Sequence, residues 1–336
     1  MRRPPRRGGL LALLLACWPL HAFAAAADTC TPTQRTLQLD APAFAPERIT
    51  VDVYLPGDYA RSSHSYRTLY ADDGQDMPAV GLVPTLTALC RTHAIRVPIV
   101  VAVHMLRDRM GTYGLSDRAS GRSLSADTKY GPVGRRAHDY SQWLATRLVP
   151  YIDAHYRTRR DAAGRSMLGW SLGGLNAFNL GWQYPEVFGR VGAFSPSFWL
   201  AADRSSDDAV ERTRLAQRMV DRGPKRPHLR FWFAAGTAEE TNDRDHDGVI
   251  DVIGDIRDLA DGYRASDGFR LRGLRQLGYS VNPDYAAHPA RRTDVAVYLL
   301  PGGKHQQASW AKMLPLFLRW DDGRLGASLA RAGVAL

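Results

Sequence analysis

Hydrophobic and polar positions along this chain switch repeatedly between two periods. Arg48 to Leu55 (RITVDVYL) alternates with period two and predicts an early strand. Tyr66 to Ala71 is a short apolar strand ending in the turn Asp72-Asp73-Gly74-Gln75. Val97 to Val103 (VPIVVAV) is an unbroken β-branched run, as expected of a strand buried on both faces. Ala137 to Tyr156 instead carries Tyr140, Trp143, Leu144, Leu148, Tyr151 and Ile152 at helical spacing, a core-facing stripe. Ser166 to Trp170 predicts a strand, and a helix over Leu172 to Gln183 begins almost at once. Strands over Val191 to Phe194, Leu229 to Ala235 and Val295 to Leu300 follow, with helices around Asp255 to Arg264 and Gln307 to Trp320. This alternation predicts an α/β fold, a mostly parallel central sheet with helices on both faces. Residues 105–133 are rich in Arg, Gly, Ser and Asp with little periodicity, and predict a long functional or mobile loop.

Composition narrows the picture only slightly. The 336 residues are 45% hydrophobic and 23% charged, ordinary for a globular protein. No internal repeat or low-complexity tract divides the sequence after residue 45, so residues 31–336 are read as one catalytic domain. Residues 1–24 read as a signal peptide: Arg2, Arg3, Arg6 and Arg7, a short apolar run from Leu10, and the cleavage site Ala22-Phe23-Ala24. The segment implies export, to the periplasm or beyond. Leu14-Leu15-Ala16-Cys17 resembles a lipoprotein box that would tether the protein at Cys17, but Trp18 and Pro19 favour simple cleavage. Cleavage lowers the formal charge from +10 to +6, since four arginines and no acids are lost. The remaining basic doublets read as solvated surface, and no nucleic-acid module accompanies them. Cys30 and Cys90 then remain, an even pair compatible with one disulfide.

Candidate chemistry begins at Gly169-Trp170-Ser171-Leu172-Gly173, a G-x-S-x-G pattern with an apolar strand before it and a helix after it. Such a turn lifts the serine above a sheet, and neighbouring backbone passes where a Cβ at either glycine would clash. A serine hydroxyl needs a base, and in α/β-hydrolases the chain order is serine, acid, histidine. His305, in Pro301-Gly-Gly-Lys-His305, follows a late strand and reaches the edge where Ser171 lies. The acid should end an intervening strand, and Glu239 and Glu240 follow Leu229 to Gly236. Spacing does not separate these two. One of them is expected to be a solvated neighbour.

Several segments together resemble the Putative esterase family of α/β-hydrolases, which includes enterochelin esterases, feruloyl esterases, S-formylglutathione hydrolases and mycolyltransferases. The resemblance spans roughly residues 45–322. It rests on Leu69-Tyr-Ala-Asp-Asp-Gly-Gln75, Leu148-Val-Pro-Tyr-Ile-Asp153 with Tyr156-Arg157-Thr158, and the Ser171 segment. Tyr184-Pro-Glu-Val-Phe-Gly189, Ala193-Phe-Ser-Pro-Ser-Phe-Trp199, Gly236-Thr-Ala-Glu, and Gly302-Gly-Lys-His305 with Trp310 complete it. It implies a serine esterase with Ser171 as nucleophile, His305 as base and Glu239 favoured over Glu240 as the acid. It also implies an oxyanion hole from the backbone N–H of Leu172 and one from the Gly74-Gln75-Asp76 turn, Gln75 acting through its backbone. No cofactor is implied for catalysis. An acyltransferase acting on an alcohol or sugar, or a non-catalytic binding protein on the same scaffold, are the competing readings. The substrate would be a small-molecule or glycan-linked ester. Arg107, Arg109, Arg118 and Arg122, in the segment expected to overhang the site, read first as solvated surface and alternatively as attracting an anionic substrate.

One segment departs from the family pattern. Asp243, Asp245, Asp247 and Asp251 stand at positions one, three, five and nine of a loop with Gly248 at six, most of an EF-hand Ca²⁺ loop. Gly254 replaces the bidentate Glu at twelve. The expectation is a structural Ca²⁺ site; the alternative is a solvated acidic loop that starts a helix at Asp251.

Overall fold

The computed structural model describes residues 28–322. The signal segment with Cys17, and residues 323–336 of the expected domain, lie outside the described residues. Nine strands form the central sheet: β1 (Thr33–Asp40), β2 (Arg48–Leu55), β3 (Thr68–Ala71), β4 (Ile99–Val103), β5 (Arg165–Trp170), β6 (Arg190–Phe194), β7 (Arg230–Gly236), β8 (Val281–Asn282) and β9 (Val295–Leu300). Their order is β1-β2-β4-β3-β5-β6-β7-β9-β8. The β1–β2 and β2–β4 pairs are antiparallel and all the others parallel. Register places Trp170 opposite Phe194, Phe194 opposite Ala234, and Gly236 opposite Leu300. The strands that precede Ser171, Glu239 and His305 therefore end along one edge of the sheet. That is the edge at which open α/β sheets carry their ligands.

The central strands are apolar on both sides because both sides are covered. Ile99, Val101 and Val103 join one core with Leu175 and Phe178, while Val100 and Ala102 join the other with Leu86 and Phe317. The first core lies under the helix Leu172–Gln183, the second under Leu82–Arg91 and Gln307–Asp322. β7 is divided in the same way, Phe231 and Phe233 to one face, Trp232 and Ala234 to the other.

Four elements differ from the sequence pattern. β1 (TQRTLQLD) is exposed and polar, so no hydrophobic period marks it; its pairing with β2 is supplied by the backbone. Residues 105–133 are not an open loop but fold into a helical turn, Arg109–Thr112, and two hairpins, Leu115–Asp117 with Arg122–Leu124 and Ala126–Thr128 with Gly131–Val133. The helix from Ala137 to His155 contains a π-helical turn over Leu144–Leu148, next to Pro150, which has no N–H for the carbonyl one turn back. The helix expected at Asp255 begins earlier, spanning Asp251–Asp261. Cys30 and Cys90 form a disulfide that ties the N-terminal segment to the helix Leu82–Arg91.

Candidate active site

Ser171 occupies the turn between β5 and the helix Leu172–Gln183, with φ 55° and ψ −125°. A non-glycine residue in this region costs on the order of 1–3 kcal/mol and persists only where neighbours dictate it. Here they do. Ser171 N–H donates to the Phe194 carbonyl at 3.0 Å, and the Ser171 carbonyl accepts from Ser197 and Leu175 N–H at 3.1 and 3.2 Å. A Cβ on Gly169 would stand 2.2 Å from the Gly173 carbonyl oxygen, so the minus-two position has no room for a side chain. Leu172 opens the helix, where first-turn N–H groups have no helical acceptor.

His305 lies beyond β9 and Glu239 beyond β7. The His305 Nδ1 is 2.8 Å from Glu239 Oε2. The Glu239 side chain is 2% exposed and that of His305 42%. The other Glu239 oxygen, Oε1, accepts from Ser195 Oγ at 2.6 Å and from Gly236 N–H at 2.5 Å. Buried and so bonded, this carboxylate has its aim fixed, and its hydrogen bond selects the Nδ1–H tautomer of the imidazole. Nε2 is thereby left as the basic nitrogen. Trp310 completes the frame: its Nε1–H donates to Ser195 Oγ at 2.9 Å, and its ring meets His305 edge-on at 5.4 Å. The same indole stacks on Trp170, the residue before Ser171, at 5.4 Å. No hydrogen bond joins Ser171 to His305 in the structure; such contacts are often long before substrate binds.

Glu240 is not the solvated neighbour expected from the sequence. Its Oε1 accepts from Val252 N–H at 2.8 Å, so it serves the first turn of the helix Asp251–Asp261. Its partial burial raises its pKa, chiefly through desolvation. Ser195, which holds Glu239, carries no catalytic motif in the sequence. Its one signal there is its place directly after β6, next to the serine strand; its φ of 45° is a feature of the structure.

The Gly74–Asp76 turn follows β3. The Gln75 side chain is engaged elsewhere: Oε1 accepts from Met105 N–H at 3.1 Å and Nε2 donates to Asp73 Oδ1 at 3.3 Å. Its backbone remains the part that can serve a ligand. Arg109 grips Asp73 through Nε and Nη2, both at 2.7 Å, and Trp170 Nε1–H donates to Asp76 at 3.1 Å. Arg109 is thus committed to an internal acid, and Arg118 to Glu186, instead of awaiting an anionic substrate.

The structure brings together Asp243, Asp245 and Asp247, whose candidate ligand oxygens lie within 4.8 Å of one another. Gly248 has φ 85°, the turn such a loop requires. Three converging hard oxygen donors suit Ca²⁺. Asp251 does not join them, contrary to expectation. It accepts from Arg244 N–H and Nη1, each at 2.8 Å, because Arg244 is a tethered cation within the same loop. Arg244 also pairs with Glu211 and Asp255. Beside this loop lies a cavity of about 860 Å³ whose walls include Lys129, Tyr130, Trp199, Arg204 and Glu240.

The model of the Putative esterase family matches residues 43–269, more than half of the chain. Among curated proteins, YjcH of Bacillus subtilis (strain 168), an uncharacterized protein, is 28% identical over 168 residues, 48% of this chain and 62% of that protein. The chain thus spans about three fifths of that relative's length. Among solved structures, a ferulic acid esterase superposes with a TM-score of 0.59 at 14% identity, covering 88% of this chain and 99% of that one. The enterobactin esterase of Shigella flexneri gives a TM-score of 0.59 at 15% identity, over 89% of this chain and 63% of that one. At such identities the likeness concerns the fold.

Proposed function

The chain belongs to the Putative esterase family of hydrolases, and from that premise we propose that it is an exported serine esterase using Ser171, His305 and Glu239. The observation that carries this reading is the buried Glu239 carboxylate bonded to His305 Nδ1, on the edge where the Ser171 turn also ends. In the proposed cycle Ser171 Oγ attacks the ester carbonyl carbon while His305 Nε2 takes the hydroxyl proton. The tetrahedral oxyanion is held by the N–H groups of Leu172 and Gln75. Its collapse breaks the ester bond, and the alcohol leaves with the proton from His305. Water, deprotonated by His305, then attacks the acyl-Ser171 carbonyl carbon, and collapse releases the acid as His305 returns the proton to Ser171 Oγ. Glu239 holds the imidazole through Nδ1 and stabilises the imidazolium that forms. Labelling by a fluorophosphonate at Ser171, and hydrolysis of p-nitrophenyl acetate abolished in Ser171→Ala, test the assignment. Labelling elsewhere, or unchanged hydrolysis in the variant, overturns it.

Two further elements belong to the proposal. The N-terminal segment directs export and is removed near Ala24, checked by N-terminal sequencing of the secreted protein. The loop Asp243–Asp247 binds a structural Ca²⁺ that contributes to stability, not to the reaction. Acyl transfer to an alcohol or sugar is the second reading. An acyl product formed on added sugar at the expense of free acid would select it.

A further inference from the structure

The two N–H groups proposed for the oxyanion hole come from elements far apart in sequence, the turn after β3 and the start of the helix after β5. Something must hold them in register. Asp72, at the end of β3, is wholly buried. Its N–H donates to the Leu168 carbonyl of β5 at 3.0 Å. Its Oδ2 accepts from Asn176 Nδ2 at 2.8 Å, on the second turn of the helix that Leu172 opens. Its Oδ1 is 2.9 Å from the hydroxyl of Tyr140, on the helix Ala137–Trp143. The contact is close enough that a Cβ on Gly173 would lie 3.3 Å from Asp72 Cβ and 2.9 Å from Asp73 Oδ2. One carboxyl group therefore clamps the turn carrying Gln75 to the helix carrying Leu172.

The charges around this clamp do not balance if every acid is ionised. Asp73, equally buried, takes Arg109, the one cation that faces Asp72 among the described residues, through two hydrogen bonds. The other titratable neighbours are Tyr113 and Tyr140, both buried and both held neutral by desolvation. Asn176 adds no charge, and its Oδ1 is buried without a partner. Two adjacent buried carboxylates facing one guanidinium leave a surplus negative charge, which a site of this kind sheds by keeping a proton.

We propose that Asp72 is a positioning residue of the oxyanion hole that works in its neutral, protonated form, so that loss of its proton loosens the hole and lowers kcat. This rests on the serine-esterase reading above. Burial, with the neighbouring Asp73 charge adding to it, pushes the Asp72 carboxyl up to about 8, against the opposing effect of its hydrogen bonds. A carboxyl raised in the folded state favours folding fully only below the ordinary carboxylate range, about 4, and that contribution declines as pH rises and is gone above about 8. Activity follows the proton of the native state and should fall near pH 8. The Tyr140 hydroxyl donates to the ionised form but can turn to accept the proton of the acid form, so the clamp survives protonation. Ionisation instead sets a second buried charge against Asp73, and that repulsion loosens it.

The experiment is the pH dependence of kcat on p-nitrophenyl acetate, corrected for background hydrolysis, in wild type and in Asp72→Asn, Asp72→Leu and Tyr140→Phe. The wild type should lose activity with an inflection near pH 8. Asp72→Asn, an amide that cannot ionise, should lower kcat several-fold at pH 7 with KM within about twofold, and should lose the inflection. Asp72→Leu, which cannot bridge, should lower kcat by about 10- to 100-fold, a fraction of an oxyanion donor's worth. Tyr140→Phe removes a hydrogen bond that favours the ionised form, so it should move the inflection to higher pH. That variant keeps the test open if Asp72→Leu does not fold. An Asp72→Asn profile identical to wild type, or a Tyr140→Phe inflection that stays in place or moves down, overturns the proposal. Ser171→Ala serves as the separate control. If it keeps activity the esterase reading itself fails; if it loses activity while Asp72→Asn matches wild type, only this inference fails.

Discussion

Glu239 and the acidic loop that starts at Asp243 are four residues apart, yet their carboxylates live under opposite regimes. Glu239 is enclosed and bonded by three groups that come from other segments or a tight turn: Ser195, Gly236 and His305. The carboxylate of Asp247 is exposed and that of Asp243 half-buried, and both bond to backbone N–H groups of their own loop, those of Asp247, Gly248 and Val249. A carboxylate held from several directions in low dielectric has a defined position and can orient an imidazole. One held by its own loop has a local shape and remains free to take a cation. Position in the fold, not residue type, separates the two.

That contrast breaks first at the reaction itself. Ser171→Ala and His305→Ala should each lower kcat by about 10⁴- to 10⁶-fold, because members of such a unit act together, with no change in thermal midpoint beyond a few degrees. Steady-state kinetics beside a melting curve checks both. A residual kcat of more than a few per cent would remove either residue from its role.

The next test sets neighbouring acids against each other. Glu239→Gln should cost about 10²- to 10⁴-fold in kcat, since the imidazolium loses its counter-charge. Glu240→Gln should change kcat less than about tenfold and instead cost about 1 kcal/mol of stability, as expected of a residue at a helix start. Reversal of that ranking would move the triad acid by one residue. Ser195→Ala sharpens the point. It removes one donor to a buried charged group and leaves Trp310 Nε1 unpaired, so kcat should fall by about 10- to 100-fold at nearly constant KM. An unchanged kcat would mean that Glu239 needs no support from β6.

The smallest effect belongs to the loop. Millimolar CaCl₂ should raise the thermal midpoint over an EDTA control by on the order of 5 °C if the ion is present at about a hundred times its Kd. Asp245→Asn/Asp247→Asn should remove that rise and leave kcat nearly untouched. A midpoint indifferent to calcium would assign the loop to Arg244 alone, which already ties Asp251, Asp255 and Glu211 together.

The sequence by itself determined the features set by local chemistry. The strand-turn-helix around Ser171 was legible because its glycine spacing and apolar flanks are demands of one short stretch of backbone. The buried strands Ile99–Val103 and Arg230–Gly236 were legible because burial on both faces leaves an unbroken apolar run. His305 could be singled out because it follows a late strand. Tertiary structure alone decided which partner each polar group received. Which of the two carboxylates, Glu239 or Glu240, meets His305 turns on Ser195, 44 residues from Glu239, and on a helix whose first turn needed an acceptor. Asp251 went to Arg244 and not to its fellow acids, and Arg109 went to Asp73. The exposed strand β1 left no hydrophobic trace, since its place comes from hydrogen bonds to β2. Hydrophobic periodicity is a property of one segment, whereas a buried charge is settled by whichever counter-charge or donor the whole fold brings within reach.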